Sequence, residues 1–108
     1  MTAGFGDMQS LLKQAQDMQR RMEETQRALA ARSLEATAGG GAVTVRVSGN
    51  QELQSIKIDK SAVDPDDVES LEDLVTVAVQ KALADAKQLR EQETAKVTGG
   101  MNLPGMGF

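Results

Sequence analysis

Cysteine, histidine, tryptophan and tyrosine are all missing from this 108-residue chain, and Phe5 and Phe108 are its only aromatic residues. Without cysteine there is no disulfide, no thiolate nucleophile and no zinc–sulfur site, a composition suited to a reducing cytosol. Without histidine, the side chain that most often moves protons near neutral pH is gone. Two phenylalanines are too few to build the aromatic platforms on which single-stranded nucleic acid stacks. These absences weigh against an enzyme and against a base-stacking RNA binder, and no catalytic residue, cofactor or metal ligand is expected. No window approaches the ~18 consecutive apolar residues of a membrane span. The opening MTAGFGDMQS has neither a basic nor an apolar leader region. A soluble, unexported, cytoplasmic chain is therefore expected, with no membrane and no small-molecule substrate among its partners.

What is present is enough for one domain. The 40% apolar content supplies a modest core for a lone monomer of this length, so help from a second chain is expected. The formal net charge of −4 argues mildly against a nucleic-acid partner, because non-specific phosphate binding is driven by Lys and Arg. How the charges are distributed matters more than their sum.

From Asp7 to about Ala31 the apolar or small residues Met8, Leu11, Ala15, Met18, Met22, Thr25 and Leu29 recur in alternating steps of three and four. This is the seam of a coiled coil or of a long packed helix, with Asp7 placed to cap it. Such a helix would span ~36 Å, against a radius of gyration near ~13 Å for a compact domain of this size. It must project or pair with something. The period then changes to two, through Leu34, Ala36 and Ala38, then Val43, Val45 and Val47, then Ile56 and Ile58. Gly39 to Gly41, and SGNQ around Gly49 and Asn50, supply the turns. Three short antiparallel strands in a meander are expected, with Glu35, Thr37, Thr44, Arg46, Ser55 and Lys57 on the wet face. A second long helix is expected from about Pro65 to Lys96. Its apolar stripe begins wide, with Val68, Leu71, Leu74, Val75, Ala78 and Val79, as a helix covering a sheet requires. It then narrows, as a helix pairing with another helix requires. Residues 1–98 read as one α+β domain, and 99–108 as a flexible Gly/Met-rich tail.

The stretch DKSAVDPDDVESLEDLV, residues 59–75, sets seven carboxylates against one lysine. An EF-hand loop begun at Asp59 would need glycine at its sixth position and glutamate at its twelfth, where this chain has Asp64 and Ser70. A catalytic carboxylate pair would need a cleft that separates the two pKa values, and nothing here supplies one. A helix start accounts for more of the residues: Asp64 as N-cap, Pro65 in the first turn, and Asp66 and Asp67 beside the positive end of the dipole.

Four pieces in this order, FGDMQSLLKQAQDMQRRMEE, GGGAVTVRVSGN, LQSIKIDKSAVDPDDVESLEDLV and GGMNLPGM, strongly resemble the YbaB/EbfC family of small bacterial nucleoid-associated proteins over nearly the whole chain. Lys60 departs from the family, which often has proline there. The resemblance implies a helix, three-stranded antiparallel sheet, helix protomer in a tweezer-like intertwined homodimer, with sheets joined centrally and helices projecting as arms that hold double-stranded DNA. It implies a nucleoid-associated protein that organises or compacts DNA and sometimes regulates transcription, with no catalytic activity. Leu11, Met18, Met22, Leu29, Val45, Ile56, Leu71, Leu74 and Val75 are the expected core and dimer residues.

Lys13, Arg20 and Arg27 lie seven apart on the outermost face of the first helix, with Arg21 and Arg32 adjacent. With Lys87, Arg90 and Lys96 on the second helix they form the candidate DNA-binding set. A plainer reading stands beside this one. Asp17, Glu24 and Glu23 lie four residues from Lys13, Arg20 and Arg27, so these cations would only support the helix surface. Likewise Arg90 and Lys96 would only complement a helix C-terminus. Gln14, Gln16 and Gln19 offer little for base reading, so weak sequence preference is expected. The rival function is a protein-interaction scaffold or chaperone-like helical clamp whose methionine-lined seam grips a polypeptide.

Overall fold

In the computed structural model, which describes residues 3–99 with side chains from Asp7 onward, the chain runs α1 (Ala3–Ala31), β1 (Ser33–Ala38), β2 (Val43–Ser48), β3 (Leu53–Ile58) and α2 (Val68–Thr98). The three strands form one antiparallel sheet in the order β1-β2-β3. The α+β helix, sheet, helix order is thus as expected. The tail after Gly99 lies outside the described residues.

Both helix starts differ from expectation, each for a local reason. Asp7 does not cap α1, which begins at Ala3 and passes through Gly4 and Gly6. Glycine in a helix costs about 1 kcal/mol but does not forbid it. Asp64 and Pro65 do not open α2. Instead the Asp64 carboxylate accepts from Asp66 N at 2.9 Å and its carbonyl accepts from Asp67 N at 2.9 Å. DPDD is therefore a turn with proline in its favoured second position. The cap passes to Asp67, whose carboxylate accepts from Ser70 N at 3.3 Å and Ser70 Oγ at 2.6 Å. Asp59 caps a single 3-10 turn, Lys60–Ala62, by accepting from Ser61 N. Three carboxylates of the acidic run, those of Asp59, Asp64 and Asp67, are thus spent on backbone donors.

Val43, Val45 and Val47 are fully buried on one face of β2, beside Ala36 and Ala38 of β1. Against them lie Ala78, Ala82 and Ala86, one per turn of α2 and all without exposure. Alanine at this spacing lets the helix axis come close to the sheet, and each valine so buried contributes on the order of 1.5–3 kcal/mol. Leu71, Leu74 and Val75 pack half-buried on this core. At the β1–β2 turn Gly39 has φ +65° and sits under Leu74, 3.0 Å from where a side chain would begin. The β2–β3 turn takes its positive φ, 65°, at Gln51 rather than at Gly49 or Asn50. There Gln51 Nε2 donates to the Leu83 carbonyl at 3.3 Å, fastening the turn to α2.

Gly49 instead closes the end of α1. Its N–H is shared at 3.0 Å between the carbonyls of Leu29, which also accepts from Arg32 N at 3.1 Å, and of Arg32 just past the helix end. A Cβ at this position would stand 2.5 Å from the Leu29 oxygen. Gly49→Ala is expected to lower stability by about 1–3 kcal/mol, the usual range for forced overpacking. A urea midpoint indistinguishable from that of the parent would refute this.

β3 departs from simple alternation. A bulge between Arg46 and Val47 pairs Val47 with Leu53 and Arg46 with Ser55, so one residue of β3 has no opposite number. Leu53 is thereby brought to the same face as Ile56 and Ile58, although Ile56 is an odd step of three further on. This row lies beside the buried valines, yet it is not covered. Leu53, Ile56 and Ile58 are 53%, 41% and 41% exposed, because α2 packs over β1 and β2 only. Ile56, expected in the core or a dimer contact, is outside this chain's own core.

Past the sheet, α2 runs alongside α1. Arg32 reaches Glu93 at 3.7 Å, while Arg21, Glu24, Thr25 and Ala28 face Glu93, Lys96 and Val97 across an open groove. As α2 advances from residue 93 to 97, its neighbours on α1 recede from 32 towards 21, so the helices are antiparallel. Leu29 and Val97 are buried along this seam, Met18 and Met22 are half-buried, and Leu11 is 63% exposed. The N-terminal half of α1 projects beyond the end of α2. The result is an elongated molecule of 80 × 26 × 16 Å with a radius of gyration of 21.1 Å, well above the ~13 Å of a compact domain.

Candidate nucleic-acid interface

Three cations mark the outer side of the projecting arm. Lys13, Arg20 and Arg27 are separated by seven residues, nearly two turns, so each sits ~10.5 Å along the axis from the next and drifts only ~20° around it. All three are exposed. The spacing expected from the sequence is therefore present, running from the projecting half of α1 at Lys13 to the stretch alongside α2 at Arg27.

The plainer reading is also partly realised. Arg20 is hydrogen-bonded to Asp17, and Arg27 lies 3.9 Å from Glu23. Among the described residues Lys13 makes no ion pair, and Asp17, expected to support it, faces Arg20 instead. Exposed pairs of this kind contribute only about 0–1 kcal/mol each and are screened by salt. A phosphate can therefore displace such a carboxylate at small cost.

The other five candidates divide in two. Arg21, Arg32 and Lys96 gather about Glu93, in the groove where α1 meets α2; Lys96 Nζ donates to Glu93 Oε1 at 3.1 Å, beside the Arg32 contact. Lys87 and Arg90 are exposed on α2 and pair with no described residue. These eight residues do not converge on one pocket. They lie along the sides and at the root of a rod, a layout suited to an extended polyanion rather than to a small molecule.

Two cations outside the expected set lie on the bare face of the sheet. Arg46 is hydrogen-bonded to Glu35 at 2.6 Å across β1 and β2, and Lys57 shares a shallow depression with them, Thr44 and Ser55. The alternation of β2 and of Ser55 to Ile58 in β3 is the signal that could have added them, since it sets these residues opposite the core.

The acidic run before and at the start of α2 lies far from that helix's basic end. Glu69 and Arg90 are about 30 Å apart along α2, nearly four Debye lengths at about 8 Å each in physiological salt. The acidic start of α2 therefore does little to repel a phosphate at the other end. Among the described residues no three acidic side chains converge in a metal-binding arrangement, and no helix is long and apolar enough to cross a membrane.

The sequence profile of the YbaB/EbfC DNA-binding family matches residues 5–101 of this chain. A nucleoid-associated protein of Alkaliphilus metalliredigens is 50% identical over 103 residues, an alignment that covers 95% of this chain and 90% of that one. Another, from Myxococcus xanthus, is 47% identical over 100 residues, covering 93% and 95%. Among solved structures, an uncharacterized protein of Helicobacter pylori superposes with a TM-score of 0.63 at 20% identity, over 72% of this chain and 90% of that one. That likeness concerns the fold alone.

Proposed function

The chain belongs to the YbaB/EbfC DNA-binding family, and from that premise we propose that it is a nucleoid-associated protein that binds duplex DNA as a homodimer with little regard to base sequence. The observation that carries the reading is the exposed row of Lys13, Arg20 and Arg27 on the outer face of α1, the helix whose N-terminal half projects beyond α2. Contacts of this type go to phosphates, which position a protein without reading bases. The residues between the cations include Gln14, Gln16 and Gln19, too few and too scattered for a recognition surface. Compaction of the nucleoid results if the two arms of a dimer grip one duplex or join two, and effects on transcription would then be indirect. The family takes its name from DNA binding rather than from a reaction, and no catalysis is proposed.

The dimer reading has its own support. Leu53, Ile56 and Ile58 form an apolar row at the open edge of the sheet, and Val63 and Val68, on the connection and at the start of α2, are also about half exposed. An uncovered strand edge with an apolar face is a template for a second chain. Two copies joined there would extend the sheet across a two-fold axis and set two arms on one body.

The test is a titration of a random-sequence duplex at several salt concentrations. Affinity should fall steeply as salt rises, because each neutralised phosphate releases counterions. Binding indifferent to salt would instead favour an apolar grip on polypeptide, since salt does not weaken apolar contact.

A further inference from the structure

The apolar seam of α1 is closed by α2 along only part of its length. Leu29 is 2% exposed and Val97 beside it 7%, Met18 and Met22 are half-buried, and Leu11 and Met8 are 63% and 71% exposed. α2 ends at Thr98, alongside Arg21. From Met18 to Met8 the seam continues for ~15 Å past that end. Leu12, one position off the seam, is 61% exposed as well and widens the strip.

This strip is self-complementary to a second α1 laid antiparallel, the direction in which α2 already packs. With Met8 set opposite Met18 of a second copy, Leu11 falls opposite Ala15, a large residue against a small one, as interdigitating layers require. The two Leu12 side chains then come to one flank, ~3 Å apart along the axis. That accounts for a leucine outside the steps of three and four. On the other flank Asp7 comes level with Arg21 of the second copy, again ~3 Å apart along the axis. Both residues are exposed, and two-fold symmetry makes this opposite-charge pair twice. A parallel pair would instead set Asp7 beside Leu12 and Arg21 beside Gln26, leaving both charges unanswered. Between Met8 and Gln19 the only charges are Lys13 and Asp17, on the outer side, so nothing on the strip opposes the contact.

We propose that the bare strip of α1 is covered by the same strip of a second copy, tip against tip and antiparallel, so that an α1–α1 seam continues the α1–α2 seam. The outer row of Lys13 and Arg20 stays uncovered. The contact depends neither on DNA binding nor on the β3 edge. Where copies also join through β3, each dimer carries two tips, and tip contacts link dimers into chains. Three turns of helix per copy bury well under ~1,200 Å², the class of weak and reversible interfaces, so association should appear at concentrations on the order of 100 µM.

Sedimentation equilibrium of the full chain without DNA, across a concentration series, tests this. In an Ile56→Asp background, where the β3 edge carries a charge, the mass should rise with concentration. Adding Asp7→Arg or Arg21→Asp should weaken that association at least about tenfold, since each variant meets like charges twice. An equimolar mixture of the two variants should recover it, because the two chains then carry opposite charges at both contacts. The mixture reads the tip contact alone, whatever the β3 edge does. A mass that does not rise, or a mixture that associates no better than either variant, would overturn the proposal. A second measurement reads the face. The chain has no cysteine, so Leu11→Cys with Ala15→Cys introduces its only thiols. These should form disulfides between chains at least about tenfold faster than Lys13→Cys with Asp17→Cys, the same spacing on the outer side, since a disulfide needs Cβ atoms within about 4.5 Å. Equal rates would likewise overturn it.

Discussion

Replacing Arg20 and Arg27 together by glutamate should weaken binding to a duplex by about a hundredfold or more near ~0.1 M salt. In a dimer the two substitutions remove four cations and add four carboxylates along the arms. The salt dependence should change with the affinity. Each lost phosphate contact lowers the slope of log K against log salt by about 0.9, so four losses lower it by roughly 3.6. The helix itself should survive. Both side chains are well exposed, and Asp17 and Glu23, their present partners, gain solvent in place of surface pairs of small value. An Asp66→Asn control at the acidic end of the molecule should change affinity by less than about twofold, lying several Debye lengths from the arm. If the double reversal binds as tightly as the parent, with the same slope, the arm row is not the DNA surface. Loss of affinity accompanied by an unchanged slope would also argue against it.

The second large effect is expected at Ile56. Ile56→Asp puts a charge in the middle of the uncovered row, opposite Val45 in the register of the sheet. If two copies meet there, the interface contains the substitution twice, because a two-fold contact presents the same patch from both sides. At about 2 kcal/mol per side, the usual threshold for a central apolar contact, the dimer would weaken by roughly a thousandfold. Light scattering on a sizing column should then report a monomer where the parent is a dimer. The side chain is 41% exposed in the single chain, so the domain should keep its helical content. DNA affinity should fall as well, since a lone arm forfeits the second, tethered contact. A parent that runs as a monomer, or an Ile56→Asp variant that remains a dimer, would remove the basis for a two-armed clamp.

Most of the fold is legible in the periodicities. Steps of three and four from Met8 to Leu29 mark α1, alternation marks β1 and β2, and the widening and narrowing of the stripe on α2 separates the part that covers the sheet from the part that pairs with α1. Each of these is a local pattern that one layer of neighbours must satisfy. Helix starts are less legible. DPDD satisfies the composition rules for a cap, but the same residues close a turn on Asp64, and three aspartates within four positions offer the backbone donors several equivalent acceptors. Alternation does not place Leu53 with the apolar row, because a step of three separates it from Ile56. The bulge that brings it there depends on how β2 and β3 pair.

The candidate interface divides in the same way. Seven-residue spacing alone puts Lys13, Arg20 and Arg27 on one line of α1, since a helix turns at a constant angle. Whether that line faces solvent, which of Asp17, Glu23 and Glu24 answers which cation, and how Arg32 and Lys96 come to share Glu93, with Arg21 lining the same groove, depend on where α2 ends alongside α1. The elements, their order and the charged faces are written in the chain, because these arise from residues within a turn or two of one another. That α2 leaves β3 uncovered and stops short of the α1 tip emerges on folding, because the reach of one helix across a sheet and along another is set by packing between residues distant in the chain.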